Sequence, residues 1–384
     1  MKKIKNVLVT DANYKHTLGI VRQLGKKGFN VYVLSFRKFS LSSFSKFCKK
    51  ELIINRDFSM QELILLCKKN NIDFILLVGT ESFIKIAPWK EYLEKNKIGM
   101  VVVEKDKLDL AFSKKATYNF AESIGIPVPK TIYPKTFKDI ENIKIDYPCV
   151  IKGLYESGIN IVDYAHSKEE LLIKYKEICK KYNFTEDKNN LPLIQEYIEG
   201  FGCAFFAVYN NGKCGYTFQH KRIREWPVTG GASVCAESFK NKLIEYYGKK
   251  LLDKLKWHGV AMVEFKMKQN GIPILMEINP KFWGSTDLSL EAGVDFPGAL
   301  IKIYEGKQIN FSKKYKYPFK YHWPLHGDIL HGIAYPKNFF KVLKDCFNPK
   351  VASNIWLEDF KPTFVMLVIF FIQLIKYVLG TWRK

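Results

Sequence analysis

The chain has 384 residues, enough for two or three domains around a substantial buried core. A hydrophobic share of 47%, with 15% aromatic residues, excludes a disordered chain. Lys+Arg of 61 against Asp+Glu of 38 gives +23, which suits anionic partners (nucleotides, phosphorylated substrates, nucleic acid or acidic lipid), although many lysines read equally well as solvated surface.

The opening "MKKIKNVLVTDAN" is basic, but its apolar run breaks at Thr10-Asp11, so it predicts a first strand rather than a signal peptide. The run Lys46–Lys50 is too short for a nucleic-acid arm. Residues 1–105 alternate short β-rich runs, "NVLVT", "NVYVLS", "DFILLV" and "GMVVV", with helical patterns. One carries Leu18, Val21 and Leu24; another opens on the capping box Ser59-x-x-Glu62. This alternation predicts a parallel sheet in a Rossmann-like domain. The first turn, "DANYKHTLG", lacks the glycines of a dinucleotide site.

One helix is predicted over 107–124, stopped by Gly125 and "IPVP". Strand "YPCVIK" follows, then a helix opened by Ser167-x-x-Glu170, a polar loop and "LIQEYI". From there the pattern turns to hairpins, with "CAFFAVY" and "KCGYTFQ" joined at Asn211-Gly212, which predicts a separate α+β region. The 8 cysteines are scattered without C-x-x-C or zinc-type spacing and read as reduced thiols.

The segment "VAMVEFKMKQNGIPILMEINP" places Asn270-Gly271 between two strand-like runs, a strong hairpin signal. With Asn270-Gly271 as a two-residue loop, Met267 faces Ile274, Phe265 faces Met276 and Val263 faces Ile278, an apolar face. The other face opposes Glu264 to Glu277, with Asn279 two residues on. Carboxylates opposed at roughly 5 Å repel one another. Beside an amide oxygen they suit Mg²⁺ or Mn²⁺ shared with substrate phosphates; the plainer reading is a solvated acidic pair. The assignment depends on register, since a slip of one residue would undo it.

"VEFKM…ILMEINPKFWGS" resembles the metal-binding hairpin of the ATP-grasp superfamily, nearest to its carbamoyl-phosphate-synthase-like and carboxylate–amine ligase branches, and the resemblance covers about residues 5–310. It implies that Glu264, Glu277 and Asn279 hold magnesium on the phosphates of ATP. "SKKATYNFAESIGIPVPKT" is similar to the lysine-bearing helix, with Lys114 at the phosphate, and "YPCVIKG" to the strand whose Lys152 reaches the α- and β-phosphates. "GLYESGIN" would be the loop over the phosphates, poorer in glycine than in many relatives. "LIQEYIEGFG" resembles the hinge that binds adenine. Glu196 and Ile198 would act through backbone, with Gln195 beside the base. Relatives often carry an acid for ribose where Gly202 stands here, leaving Glu199 as the substitute.

"HKRIREWPVTGGAS" is the expected acceptor side. Arg222 and Arg224 would alternate with His220 on one face as carboxylate or phosphate forks, and Gly230-Gly231 would offer backbone N–H groups. A basic edge strand and a plain turn are the alternative. Lys281 stands where many relatives have Arg, keeping the charge without the fork. Finally, "KPTFVMLVIFFIQLIKYVLGTWRK" is apolar over a length near the lower limit for crossing a bilayer, with Trp382, Arg383 and Lys384 as an interface anchor. Membrane-surface insertion, docking on the protein's own groove or on a dimer partner, and spanning all remain open for it.

The expected fold is α/β and α+β: a Rossmann-like domain over 1–105, an ATP-grasp domain over 106–310 with a lid at about 130–195, and a C-terminal extension over 311–384 with an apolar helix over 362–380. The expected function is ATP- and Mg²⁺-dependent activation of a small-molecule carboxylate as an acyl phosphate for attack by an amine. Carboxyphosphate formation is the first alternative, and a non-catalytic basic scaffold at an anionic membrane or nucleic acid the second. The expected setting is the cytoplasm, or the cytoplasmic face of a membrane, with a homodimer as a further option and no nucleic acid.

Overall fold

The structure, a computed structural model, describes residues 3–156, 161–188, 190–227 and 230–379. Part of the expected phosphate loop (157–160), Val228-Thr229 before the paired glycines, and the anchor Trp382–Lys384 lie outside the described residues.

The first sheet comprises β1 (Asn6–Val9), β2 (Asn30–Ser35), β3 (Cys48–Ile53) and β4 (Phe74–Leu76), all parallel, in the order β3-β2-β1-β4. The capping box forms as read: the Glu62 N–H donates to Ser59 Oγ and the Ser59 N–H to Glu62 Oε2. The chain order reverses at β1 and β4, and a crevice at such strand ends is where open α/β sheets bind ligands. Here Asp11, at φ 58°, accepts the Gly79 N–H at 2.7 Å, locking the two strand ends together. "GMVVV" differs from expectation. It makes one parallel bridge, Phe74 to Gly99, and then leaves the sheet with its valines buried.

The expected single helix over 107–124 is two, Lys105–Phe112 and Lys114–Ser123. Ser113 breaks it by adopting extended backbone and accepting the Ala116 N–H on its side chain, the N-cap arrangement. This puts Lys114 at the first position of the second helix.

A small antiparallel sheet follows: β5 (Thr131–Ile132), β6 (Cys149–Lys152), β7 (Val162–Ala165) and β8 (Leu193–Glu196), in the order β5-β8-β6-β7. The helix Lys168–Tyr182 covers it, packing Leu171, Tyr175 and Ile178 on Cys149, Ile151 and Ile194. This lobe has a core of its own.

The largest sheet has seven strands. They are β9 (Phe201–Asn210), β10 (Lys213–Trp226), β11 (Ala232–Ser238), β12 (Gly259–Met267), β13 (Pro273–Asn279), β14 (Phe319–His322) and β15 (Ala352–Ser353), in the order β13-β12-β9-β10-β11-β14-β15. The β9–β10 turn carries Asn211 and Gly212 at positive φ, 46° and 79°, as a two-residue hairpin turn requires. Because β14 and β15 belong to this sheet, it crosses the expected boundary at residue 310.

The helix Phe360–Val378 lies on the protein through one stripe, with Met366 and Phe370 packed among Leu18, Leu41, Leu325 and Leu330. Its start is fixed by Asp359, which accepts from Arg22 Nε (2.8 Å), Ser45 Oγ (2.7 Å) and the Lys46 N–H (2.8 Å).

Candidate active site

A cleft of about 1320 Å³ runs between the first sheet, the small lobe and the large sheet. Lys114, Lys152, Arg222, Glu264, Glu277, Asn279 and Lys281 all line it.

The hairpin that carries the carboxylates reaches its expected register by an unexpected route. Its loop has three residues, with Gly271 at φ 81° and the Lys268 N–H donating to Ile272 O, so Met267 faces Pro273 and Phe265 faces Leu275. A bulge between Glu264 and Phe265 then restores the register, and Glu264 faces Glu277, Val263 faces Ile278 and Met262 faces Asn279. The expected pairings of Phe265 with Met276 and Met267 with Ile274 are therefore wrong. The carboxylate pair is right, because bulge and longer loop cancel.

Each carboxylate has its own cations. Glu264 Oε1 accepts from Arg222 at 2.7 Å. Glu277 lies 3.9 Å from Lys114 and accepts from Asn279 Nδ2 at 2.7 Å. Burial pushes the Glu264 carboxyl up; Arg222 works against this and Glu277 adds to it. Burial acts the same way on Glu277, but Lys114, the Asn279 amide, Lys281 and Lys152 outweigh it and hold that carboxyl below its usual range. Among the described residues no group of three or more His, Cys, Asp or Glu is placed to hold a metal. A divalent cation here would rest on two carboxylates, one amide oxygen and oxygens from a ligand, the chemistry Mg²⁺ or Mn²⁺ accepts with phosphates. The donor set fits.

Lys152, at the end of β6, donates to Gln195 Oε1 at 2.8 Å. Gln195 Nε2 donates to Tyr118 OH (3.1 Å) and Thr131 Oγ1 (3.0 Å), and Tyr118 OH to Met276 O (2.7 Å). Gln195 is thus buried, holds Lys152 in place and does not line the cleft. Burial lowers Lys152 to about 8, aided by Lys114 and Lys266 and opposed by Glu277 and Glu264. In the hinge, the Glu196 N–H donates to Lys130 O and its carboxylate accepts the Lys130 N–H. Ile198 packs on Ile274 and Met276, and its carbonyl accepts from Lys266 Nζ at 3.2 Å. Glu199 accepts from Gln269 on the exposed side and does not line the cleft. Gly202 has a local reason: a Cβ there would lie 2.9 Å from Arg222 Cδ.

The acceptor strand needs the largest correction. Arg222 pairs with Ala236 but Arg224 with Cys235, neighbours on opposite faces, because a bulge at Ile223 intervenes. Arg222 keeps to the side of Glu264. Arg224 is buried, with Nε and one terminal nitrogen on the two oxygens of Asp328 (2.6 and 2.7 Å) and a further bond to Asp345 (2.7 Å). Its fork is consumed by structure and is not free for substrate. His220 is buried against Phe206, with Nε2 2.6 Å from Ser285 Oγ, and burial beside Arg222 brings it down to about 3. The Gly231 N–H is taken by Pro227 O, so it offers nothing to an oxyanion.

Several residues on the cleft were missed. Thr80 and Glu156 are two of them: Lys281, expected here, donates to Thr80 Oγ1 and, at 3.2 Å, to Glu156, and so ties the β4 loop to the cleft floor. Tyr14 and His16 come from the first βα turn, set aside for its lack of glycines. His16 is brought down to about 3 by burial and by Lys15, Lys281 and His326. Lys266 was legible, since it follows Glu264 by two residues on β12.

Residues 193–324 match a family described as ATP-grasp in the biosynthetic pathway with Ter operon. No curated protein matches the sequence. Among solved structures, the biotin carboxylase domain of 2-oxoglutarate carboxylase from Hydrogenobacter thermophilus superposes with a TM-score of 0.68 at 16% identity, covering 83% of this chain and 74% of that one. Its ligands are MgADP, ADP and bicarbonate. Biotin carboxylase from Campylobacter jejuni gives 0.67 at 15% identity, over 83% and 74%. The chain has the ATP-grasp fold. A third ATP-grasp likeness is N5-carboxyaminoimidazole synthetase from Staphylococcus aureus, at 0.62 and 15% identity over 80% and 79%.

Proposed function

We propose that this protein is an ATP-dependent ligase that activates a carboxylate as an acyl phosphate for attack by an amine. The observation that carries the reading is the opposed Glu264–Glu277 pair with Asn279, ringed in one cleft by Lys114, Lys152, Arg222, Lys266 and Lys281. Lined by eight Lys and Arg side chains against five Glu, the cleft is a site for a polyanion that brings its own divalent cations. Bound Mg²⁺ or Mn²⁺ would neutralise charge on the transferring phosphoryl. Lys152, steadied by Gln195, and Lys114, at a helix start, hold the phosphate chain. Arg222 and Lys281 face the space left beyond it, where the carboxylate oxygen takes the γ-phosphoryl and ADP leaves. The amine nitrogen then bonds to the acyl carbon and expels phosphate. Positioning and charge compensation do this work, with no nucleophilic side chain.

A second reading follows from the biotin carboxylase likeness: with bicarbonate as the carboxylate, the same step gives carboxyphosphate. ADP release is the test, with MgATP and pooled carboxylates and amines in one arm and bicarbonate alone in the other. Release requiring both a carboxylate and an amine supports the ligase; release with bicarbonate alone supports the second reading. Absence of MgATP binding by calorimetry would overturn both and leave a basic scaffold. The reading implies small-molecule partners and a cytoplasmic setting, with a homodimer compatible.

A further inference from the structure

The helix Phe360–Val378 has two apolar stripes. The inner one, with Met366 and Phe370, is buried on the protein. The outer one, Phe364, Val368, Phe371, Ile375 and Val378, repeats at three- and four-residue spacing on the opposite side. It is open to solvent, with Phe364 60% and Val378 72% exposed. At 19 residues it runs about 28 Å. Soluble proteins rarely leave so long an apolar face uncovered.

Charge indicates what covers it. The helix holds Lys361 and Lys376 and no acid. In the stretch before it, Lys337, Lys341, Lys344 and Lys350 are exposed. The acids there turn to partners on the protein: Asp345 to Arg224 and Lys320, Asp359 to Arg22, and Glu358 to Lys26. A second copy laid stripe to stripe would set lysine against lysine in either direction. An anionic headgroup layer matches both the stripe and the lysines. Spanning is excluded by the inner stripe, which stays on the protein.

We infer that the protein docks flat on an anionic bilayer through the outer stripe of this helix. Its Tyr377 ring lies 5.6 Å from that of Trp226, on the strand that carries Arg222. Docking therefore brings the cleft close to the lipid surface. The inference does not depend on the ATP reading.

The experiment is flotation of the full chain with vesicles of equimolar phosphatidylcholine and phosphatidylglycerol, against phosphatidylcholine alone. The combined variant Phe364→Gln, Phe371→Gln, Ile375→Gln changes only exposed positions. The parent floats with the anionic vesicles and less with neutral ones. The variant loses at least tenfold in partitioning, with melting temperature and MgATP affinity unchanged. Equal flotation of variant and parent overturns the inference, as does a parent that ignores anionic vesicles. A dimer in light scattering that the variant dissolves, without vesicle binding by the parent, assigns the stripe to a second copy instead.

Discussion

Glu264 and Glu277 face each other, yet neutralising one is not equivalent to neutralising the other. Glu277 is held in its charged form by Lys114, Asn279, Lys281 and Lys152 against the cost of burial. Glu277→Gln leaves three lysines without that carboxylate. One partly screened contact is worth on the order of 1 kcal/mol, so the metal-free melting temperature should fall by about 2 °C. Burial and Glu277 hold Glu264 towards its neutral form despite Arg222, so Glu264→Gln should leave the metal-free melting temperature unchanged or raise it. The sign carries into pH. The stability supplied by Glu277 is present above the ordinary carboxylate pKa and is lost as pH falls through its depressed one. Glu264 costs stability at neutral pH, and that cost disappears as pH falls through its raised one. Both variants should lose at least about a hundredfold in MgATP-dependent ADP release, about 2.7 kcal/mol of barrier. Melting curves without metal and ADP release, measured on both variants, give the four numbers needed. Turnover intact in either variant, or equal melting shifts of one sign, would refute the assignment.

Arg224→Ala should cost about 3–5 kcal/mol, because Asp328 and Asp345 lose a buried partner; chemical denaturation measures it, and an unchanged midpoint would return Arg224 to the acceptor site. Arg222→Ala should lower kcat/KM by at least about tenfold with a much smaller stability change; steady-state ADP release shows it. With Lys152 brought down to about 8, its charge is lost as pH rises through that value, so KM for ATP should climb above pH 8. Lys152→Met should abolish that climb while leaving the apo melting temperature no lower.

The carboxylate pair was read correctly because two misreadings cancelled: the loop is one residue longer than expected, and the Met276 bulge restores the register beyond it. Arg224 was not legible, since nothing in "HKRIREW" marks Ile223 as an inserted residue that turns Arg224 to the other face before a second irregularity restores the register at Glu225. The strands β14 and β15 escaped for another reason. They have 4 and 2 residues, too short for a pattern; pairing with β11 decides the state of β14, and pairing with β14 that of β15. The partners of Gln195 were not legible either: its three hydrogen bonds to Lys152, Tyr118 and Thr131 are tertiary, and no local signal carries them.

The buried Arg22–Asp359 pair joins residues 337 positions apart. A ribosome makes the first helix long before the carboxylate that its guanidinium needs. Until then Arg22 must stay hydrated, which holds that helix's outer side open while the rest of the first sheet is already able to form. Completion of the domain that carries Arg22 thus waits on a segment made 337 residues later, so a nascent chain arrested before Asp359 should expose the Arg22 side of that domain to proteases and chaperones.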